Sequence, residues 1–532
     1  SATSLTNLRM VNVRASKFPQ NITHIITLVS LELSRNFIKN IPSSIGMLQN
    51  LRILNLQSNR LTNLPEGFGS LKHLQLLDLS SNLFTEYPEV INECTTLLQV
   101  DLSSNRIYKI PDSINKLTKL AKLNLSYNNL TVIPSLKDME NLRTISLKDN
   151  LIHTFTAGSK SLQYIYLSDN RISEFEDELP NLRTLEVAKN PLTSVYFKEN
   201  FMNFLTTLNL SKANLTIVPS IIWKKFIKLR KLELNENNLT QISEAIENLT
   251  QLNHLSFNRN KLESLPKSIV KLKNLRFLDL HSNNITEFVP DLAKLQLTHL
   301  NISSNGLTYW QESLVNPSED NMPLFNTLTY LSVADNRLNS KSAIWVEKFK
   351  NLKYLNVSFN LIAELSFNRM LQLEELYMSG NQLSSLPGEF VEKLPNLIVL
   401  MVNNNRLQSL PAELSGLKHL NVFDVSNNHL KYNIGNYQHD YNWLKNTELK
   451  YLSFSGNKRF EISDTVVNNI NYADMTQLNK LLVLSLMDVT LKTSKIPDEA
   501  FNLRMRTSES KVNNMPYGVA DYIGSRSFVN YR

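Results

Sequence analysis

Apolar residues fall along this chain in a recurring frame, Leu-x-x-Leu-x-Leu-x-x-Asn-x-Leu. The frame's asparagine stands at Asn36, Asn59, Asn82, Asn105 and Asn128, a step of 23 each time. It continues with looser spacing through Asn150, Asn170, Asn190, Asn237, Asn260, Asn283, Asn305, Asn336, Asn360, Asn381, Asn405, Asn428 and Asn457. Within Leu51 to Asn59, the alternation predicts a short strand with Leu54 and Leu56 pointing inward and Ile53, Asn55 and Gln57 outward. One such unit cannot bury its leucines alone. Stacked neighbours bury them together, so the strands are expected to pair as one long parallel sheet. The buried asparagine amide is expected to satisfy turn backbone groups. Its loss would cost ~1–3 kcal/mol, which makes the ladder structural rather than catalytic.

A period of 20–29 residues with this frame is the leucine-rich repeat. The expected fold is an α/β solenoid, a leucine-rich repeat horseshoe of about 20 repeats with a continuous parallel sheet on its concave face. After the asparagine, many repeats read Leu-Pro-x-x-Ile, as at Leu64-Pro65 and Leu265-Pro266, with the same proline at Pro42, Pro88, Pro111, Pro219, Pro387 and Pro411. Proline suits the first turn of a short convex helix, where its missing N–H is harmless. The chain divides into a degenerate N-terminal repeat or cap (1–27), repeats (28–491), a C-terminal cap and linker (492–516) and a last segment (517–532). Insertions near 311–326 and 431–448 break the period, and the second is dense in Tyr and Trp. The steps of 20 between Asn150 and Asn190 leave no room for a convex helix. Ala213 stands where one ladder asparagine belongs, and Val489 where the last does.

Composition agrees with a folded array: 532 residues, 42% hydrophobic, with only 12 glycines. No run approaches the ~18 apolar residues of a membrane span. The chain starts without Met inside Leu5 to Met10, which points to a segment of a longer protein. Cys94 is the single cysteine, so no disulfide closes within the chain and a reducing compartment is expected. The sequons at Asn124, Asn209, Asn301 and Asn356 arise from the repeat frame itself and are not read as glycosylated. A net charge of +8 over this length is too dilute for nucleic acid, which calls for a clustered basic stripe. His254, His281 and His299 lie on three consecutive strands. Strand spacing of ~4.8 Å keeps them from converging on one metal ion, so no metal site is expected. There is no glycine-rich phosphate loop and no nucleophile set that the fold would assemble.

The 23-residue, proline-marked repeat resembles the subclass of Ras-suppressor and other small-GTPase-associated repeat proteins. Pro516 to Arg526 looks like the opening strand of a type 2C Ser/Thr phosphatase-like domain, cut short at Arg532. Repeats of this form running into such a segment resemble the fungal adenylate cyclases, as do Gly456 to Glu461, the aromatic insertion and Arg504 to Gly518. The resemblance implies a regulatory region that receives GTP-bound Ras and controls cyclic AMP synthesis by a distant catalytic domain. It implies no cofactor in these residues, with Mg or Mn in the cyclase domain. It also implies a cytoplasmic location, reaching the inner face of the plasma membrane through the partner. Ras presents an acidic effector surface, so cations and aromatics on the concave face are the candidate contacts. These are Arg143, Lys148, Tyr164, Tyr166, Arg183, Lys189, Lys212, Lys231 and Arg259, interrupted by Glu186, Glu233 and Glu236.

Two other readings are open at this level. The repeats resemble those joined to active type 2C protein phosphatases. Some leucine-rich repeat proteins also bind small glycopeptides on the concave face, for which Tyr330, Tyr354, Phe359 and Tyr377 would wall a pocket.

Overall fold

A computed structural model describes residues 4–175, 178–192, 203–287, 290–309, 322–431, 446, 448–463, 466–467, 470–471 and 474–492. The polypeptide forms two compact units, Ser1–Leu262 with Lys271–Leu275, and Glu263–Val270 with Arg276–Arg532. Among the described residues, 21 strands belong to parallel ladders of the repeat type. Each is the three-residue strand that the frame predicts, as in Ile53–Asn55, Leu76–Asp78 and Gln99–Asp101. Pairing is in register, so equivalent residues of successive repeats stand side by side: Ile53 with Leu76, Leu54 with Leu77, Asn55 with Asp78. The middle residue of each strand points into the core. Leu54, Leu77 and Leu123 are essentially buried, as are Leu232, Leu300 and Leu355. The degenerate first repeat joins the ladder too, with Asn7–Arg9 pairing along Ser30–Glu32.

The asparagine ladder is built as the spacing implied. Asn82 donates through Nδ2 to the carbonyls of Leu56, Leu79 and Ser80 at 3.0–3.2 Å, while its Oδ1 accepts from Leu61 N at 3.0 Å. One amide thus satisfies backbone of its own turn and of the repeat before it. The residue preceding the asparagine has a left-handed backbone in repeat after repeat, with φ of 55° at Arg35, Ser58, Ser81 and Ser104. Such residues are rarely left-handed. Here the conformation aims the N–H at the next repeat, as in Ser81 N to Ser103 O at 2.8 Å.

The convex elements differ from the expectation. Most are five-residue 3-10 helices, such as Ser43–Met47, Glu66–Ser70 and Asp112–Lys116, and the proline stands one residue before each. Its carbonyl is the first acceptor, Pro42 O accepting from Ile45 N and Pro65 O from Phe68 N at 3.0 Å. Five residues suit i to i+3 bonding better than a full α-turn and its caps. Among the described residues α-helix occurs in short pieces at Ser220–Lys225, Leu324–Thr327 and Phe390–Lys393. Among the described residues the short repeats show no helix, in line with the step of 20. Thr154–Phe155 pairs in parallel with Glu174–Phe175, and the two Phe rings stack at 5.8 Å. At the C-terminal end Glu461–Ser463 pairs with Thr490–Lys492. Most of the aromatic insertion near 431–448, residues 311–321, nearly all of the 492–516 linker and all of 517–532 lie outside the described residues.

Candidate partner-binding surface

In the first unit, the register that stacks leucines inside also stacks the first and third residues of each strand outside. Tyr164 and Tyr166 occupy those places in Tyr164–Tyr166, and Lys231 in Lys231–Glu233. Tyr166 stands beside Glu186 of the next strand. Lys148 lies two residues past its strand, its Nζ 5.6 Å from the centre of the Tyr127 ring. These four side chains share one face of the sheet.

The other five candidates fall elsewhere, and the fold gives the reason. Arg143 and Arg183 precede the strands Thr144–Ser146 and Thr184–Glu186, so they stand at the entry edge of the sheet. Arg143 is held there by the Glu140 carbonyl, 2.8 Å from Nη1. Lys189, Lys212 and Arg259 occupy the left-handed position before the ladder asparagine, with φ of 53–54°, at the exit edge. Their charges are matched: Lys189 with Asp169 at 2.9 Å, Lys212 with Glu236 at 3.0 Å, and Arg259 with Glu236 at 3.8 Å. The Asp169 bond holds the Lys189 ammonium above its ordinary pKa. Lys231 is paired as well, with Glu233 at 2.9 Å. Burial pushes the Glu233 carboxyl up, but the bonds from His254 and Lys231 outweigh it and its pKa is lowered. Glu186, two strands away across Asn209, is raised by burial and then by Glu233. The centre of this face is therefore a mixed, charge-balanced field around two tyrosines rather than a basic one.

In the second unit Phe277, His299, Tyr330 and Tyr354 take the same strand position in four successive strands. Their rings stack with centroids 4.3, 3.9 and 4.2 Å apart. Tyr377 continues the row obliquely, 5.1 Å from Tyr354 and tilted by 38°. The stacked faces leave no slot between Tyr330 and Tyr354. Phe359 is not part of the column at all. It sits in the left-handed turn before Asn360 with φ 56°, its ring against Gly380. The sequence reading groups Tyr330, Tyr354 and Tyr377 but does not join Phe277 and His299 to them, although aromatic residues at one frame position in consecutive repeats carry the signal. His281 and His254 are engaged by acids, His281 Nδ1 by Asp279 at 2.8 Å and His254 Nε2 by Glu233 at 3.6 Å. Among the described residues no group of three His, Cys, Asp or Glu side chains could hold a metal ion. Nor does any described helix have the length and apolarity to cross a membrane.

Comparison with known proteins agrees with this architecture. Models described as leucine-rich repeat regions match residues 44–157, 161–182, 227–285, 326–383 and 372–430. YopM from Yersinia enterocolitica shares the fold, with a TM-score of 0.60, 21% identity, and 90% of this chain and 96% of that one covered. The chain is a leucine-rich repeat solenoid. It belongs, more narrowly, to the fungal adenylate cyclases, as a stretch of their repeat region. It is 52% identical to the adenylate cyclase of Lachancea kluyveri over 405 residues, 75% of this chain and 22% of that protein. It is 35% identical to the adenylate cyclase of Mycosarcoma maydis, over 69% of this chain and 17% of that protein. The chain thus spans about a fifth of the length of these relatives.

Proposed function

We propose that this chain is the regulatory part of an adenylate cyclase, receiving a GTP-bound small GTPase of the Ras type on the sheet face of its first unit. The parent enzyme would make cyclic AMP from ATP in a domain beyond these residues, and Mg or Mn would act there. The observation that carries the reading is the row of Lys148, Tyr164 and Tyr166 on one face, within a repeat array related to the adenylate cyclases. Rigid parallel strands hold these side chains at fixed spacing, so little ordering entropy is lost on binding. Tyrosine anchors beside a cation suit an effector surface that is acidic and ordered only with GTP. A cytoplasmic setting fits a single, buried cysteine. The partner would bring the complex to the inner face of the plasma membrane.

The test is titration of the chain against Ras loaded with a non-hydrolysable GTP analogue and, separately, with GDP. Binding should favour the GTP form and weaken about tenfold in Tyr166→Ala and in Lys148→Glu. Equal affinity for both nucleotide states, or none, refutes the reading.

A further inference from the structure

The sheet face of the second unit has a different chemistry from that of the first. From Phe277–Asp279 to Tyr451–Ser453, the first strand positions carry Phe, His, Tyr, Glu and Val, the third carry Asn301, Ser332, Asn356, Tyr377, Met401 and Ser453 with the acids Asp279 and Asp424, and neither carries Lys or Arg. Because the rings of Tyr330 and Tyr354 cover each other's faces, the half-buried column presents ring edges and phenol oxygens outward. Glu375 is next in register after Tyr354 and accepts the Tyr377 hydroxyl at 2.7 Å. On its far side Val399, Met401 and Val422 are buried in a cluster against Tyr377, with Tyr354 and Tyr451 packed on it, and Asp424 and Ser453 are buried beside them.

We propose that this strip is a docking surface for a cationic peptide segment of a partner protein, with Arg side chains reaching Glu375 and the tyrosine hydroxyls and aliphatic neighbours lying along the ring edges. Charge complementarity selects this occupant. Glu375 is half-buried between Tyr354 and Val399, where an ion pair is screened less than at an open surface. No Lys or Arg stands at an outward position of these strands, while Asp279 is engaged by His281 and Asp424 by Ser426 and Tyr451. Arg fits better than Lys, since its planar fork can bond a carboxylate and a phenol oxygen together while its flat body lies on ring edges. A sugar ring, by contrast, stacks on an open aromatic face, and within this column the faces are taken by neighbouring rings 3.9–4.2 Å away. This surface is separate from the one assigned to the GTPase, so either assignment can fail alone.

The test uses the whole chain at pH 8, where Glu375 is ionised, and a fluorescein-labelled ten-residue peptide of alternating Arg and Leu. Fluorescence anisotropy should show binding at least about tenfold tighter than for the matching Glu–Leu peptide. The near-isosteric Glu375→Gln and, separately, Tyr354→Ala should each weaken it about tenfold, whereas Lys148→Glu in the first unit should leave it within about twofold. Melting curves of each variant establish that it is folded, and Glu375→Gln remains decisive where Tyr354→Ala does not fold. The proposal is overturned if Glu375→Gln binds as tightly as the parent, if the Glu–Leu peptide binds equally well, or if an N-acetylglucosamine trimer displaces the peptide.

Discussion

Asn237 accepts one hydrogen bond more than a regular rung such as Asn82, from Ala213, which stands where a ladder amide is missing. Its Oδ1 accepts from both Ala213 N and Leu215 N at 3.0 Å, while Nδ2 donates to Leu210 O and Leu234 O at 3.0 Å. The same gap leaves Leu192 N without the acceptor that an asparagine at 213 would supply. Leu192 N turns instead to Asn190 O at 2.9 Å. The array thus crosses its interrupted rung with local rearrangement of hydrogen bonds.

Replacing Asn237 by Ala should therefore cost more than the same change at a regular rung such as Asn82. The excess should be about 1 kcal/mol, one further buried backbone donor being orphaned. Urea midpoints of the two variants, measured side by side, check this. Equal losses would mean that the doubled acceptor has no energetic weight.

Gly380 and Phe359 form a second dependent pair. Gly380 has φ of 67°, and a Cβ there would collide with the Phe359 ring. Gly380→Ala should destabilise the second unit by roughly 2 kcal/mol, from backbone strain and overpacking together. Adding Phe359→Ala should relieve part of that loss, visible as a sub-additive double-mutant cycle in thermal melts.

Glu375 gives the chain a pH dependence of definite sign. Burial, with a smaller push from Glu374, raises its carboxyl to about 7 despite the Tyr377 bond. Between its ordinary value near 4.5 and about 7, the folded state binds the proton that the unfolded state has lost, so stability falls as pH rises through that window. Allowing for its partial exposure, the effect should be about 1–2 kcal/mol. Glu375→Gln should melt higher than the parent at pH 8 and level with it at pH 4. A parallel pH profile for the two chains would sink the assignment.

Cys94 should be inert while the array is folded. Its thiol is buried against the Phe68 carbonyl, and burial raises it to about 11 although Lys72 pulls it down. Iodoacetamide at pH 7.5 should label it only as urea unfolds the repeats, since the thiolate is the reactive form. Rapid labelling without urea would contradict the buried environment.

Much of this was legible in the sequence, for an identifiable reason. Inward leucines and ladder asparagines obey a strict period because each meets the same neighbours in every repeat, so Leu54, Asn82 and Pro65 could be placed by counting. The left-handed position before the asparagine carries Arg35, Ser81, Tyr127, Lys189 and Phe359. Its conformation comes from a backbone bond to the next repeat, so no side-chain preference marks it. Counting along the frame therefore assigns Lys189, Lys212, Arg259 and Phe359 to the concave face, whereas they occupy turns at the edge of the sheet.

The sequence by itself determined the solenoid class, the parallel strands, the asparagine ladder and the kinship with the fungal adenylate cyclases, all properties of one repeat multiplied by stacking. Tertiary structure alone decided which charges are matched across repeats, as Lys189 is by Asp169 and Lys212 by Glu236. It alone also closed the rings of His299, Tyr330 and Tyr354 into a column. These outcomes join residues some twenty to thirty apart in the chain but one strand spacing apart in the sheet, where register sets distance and distance sets the chemistry.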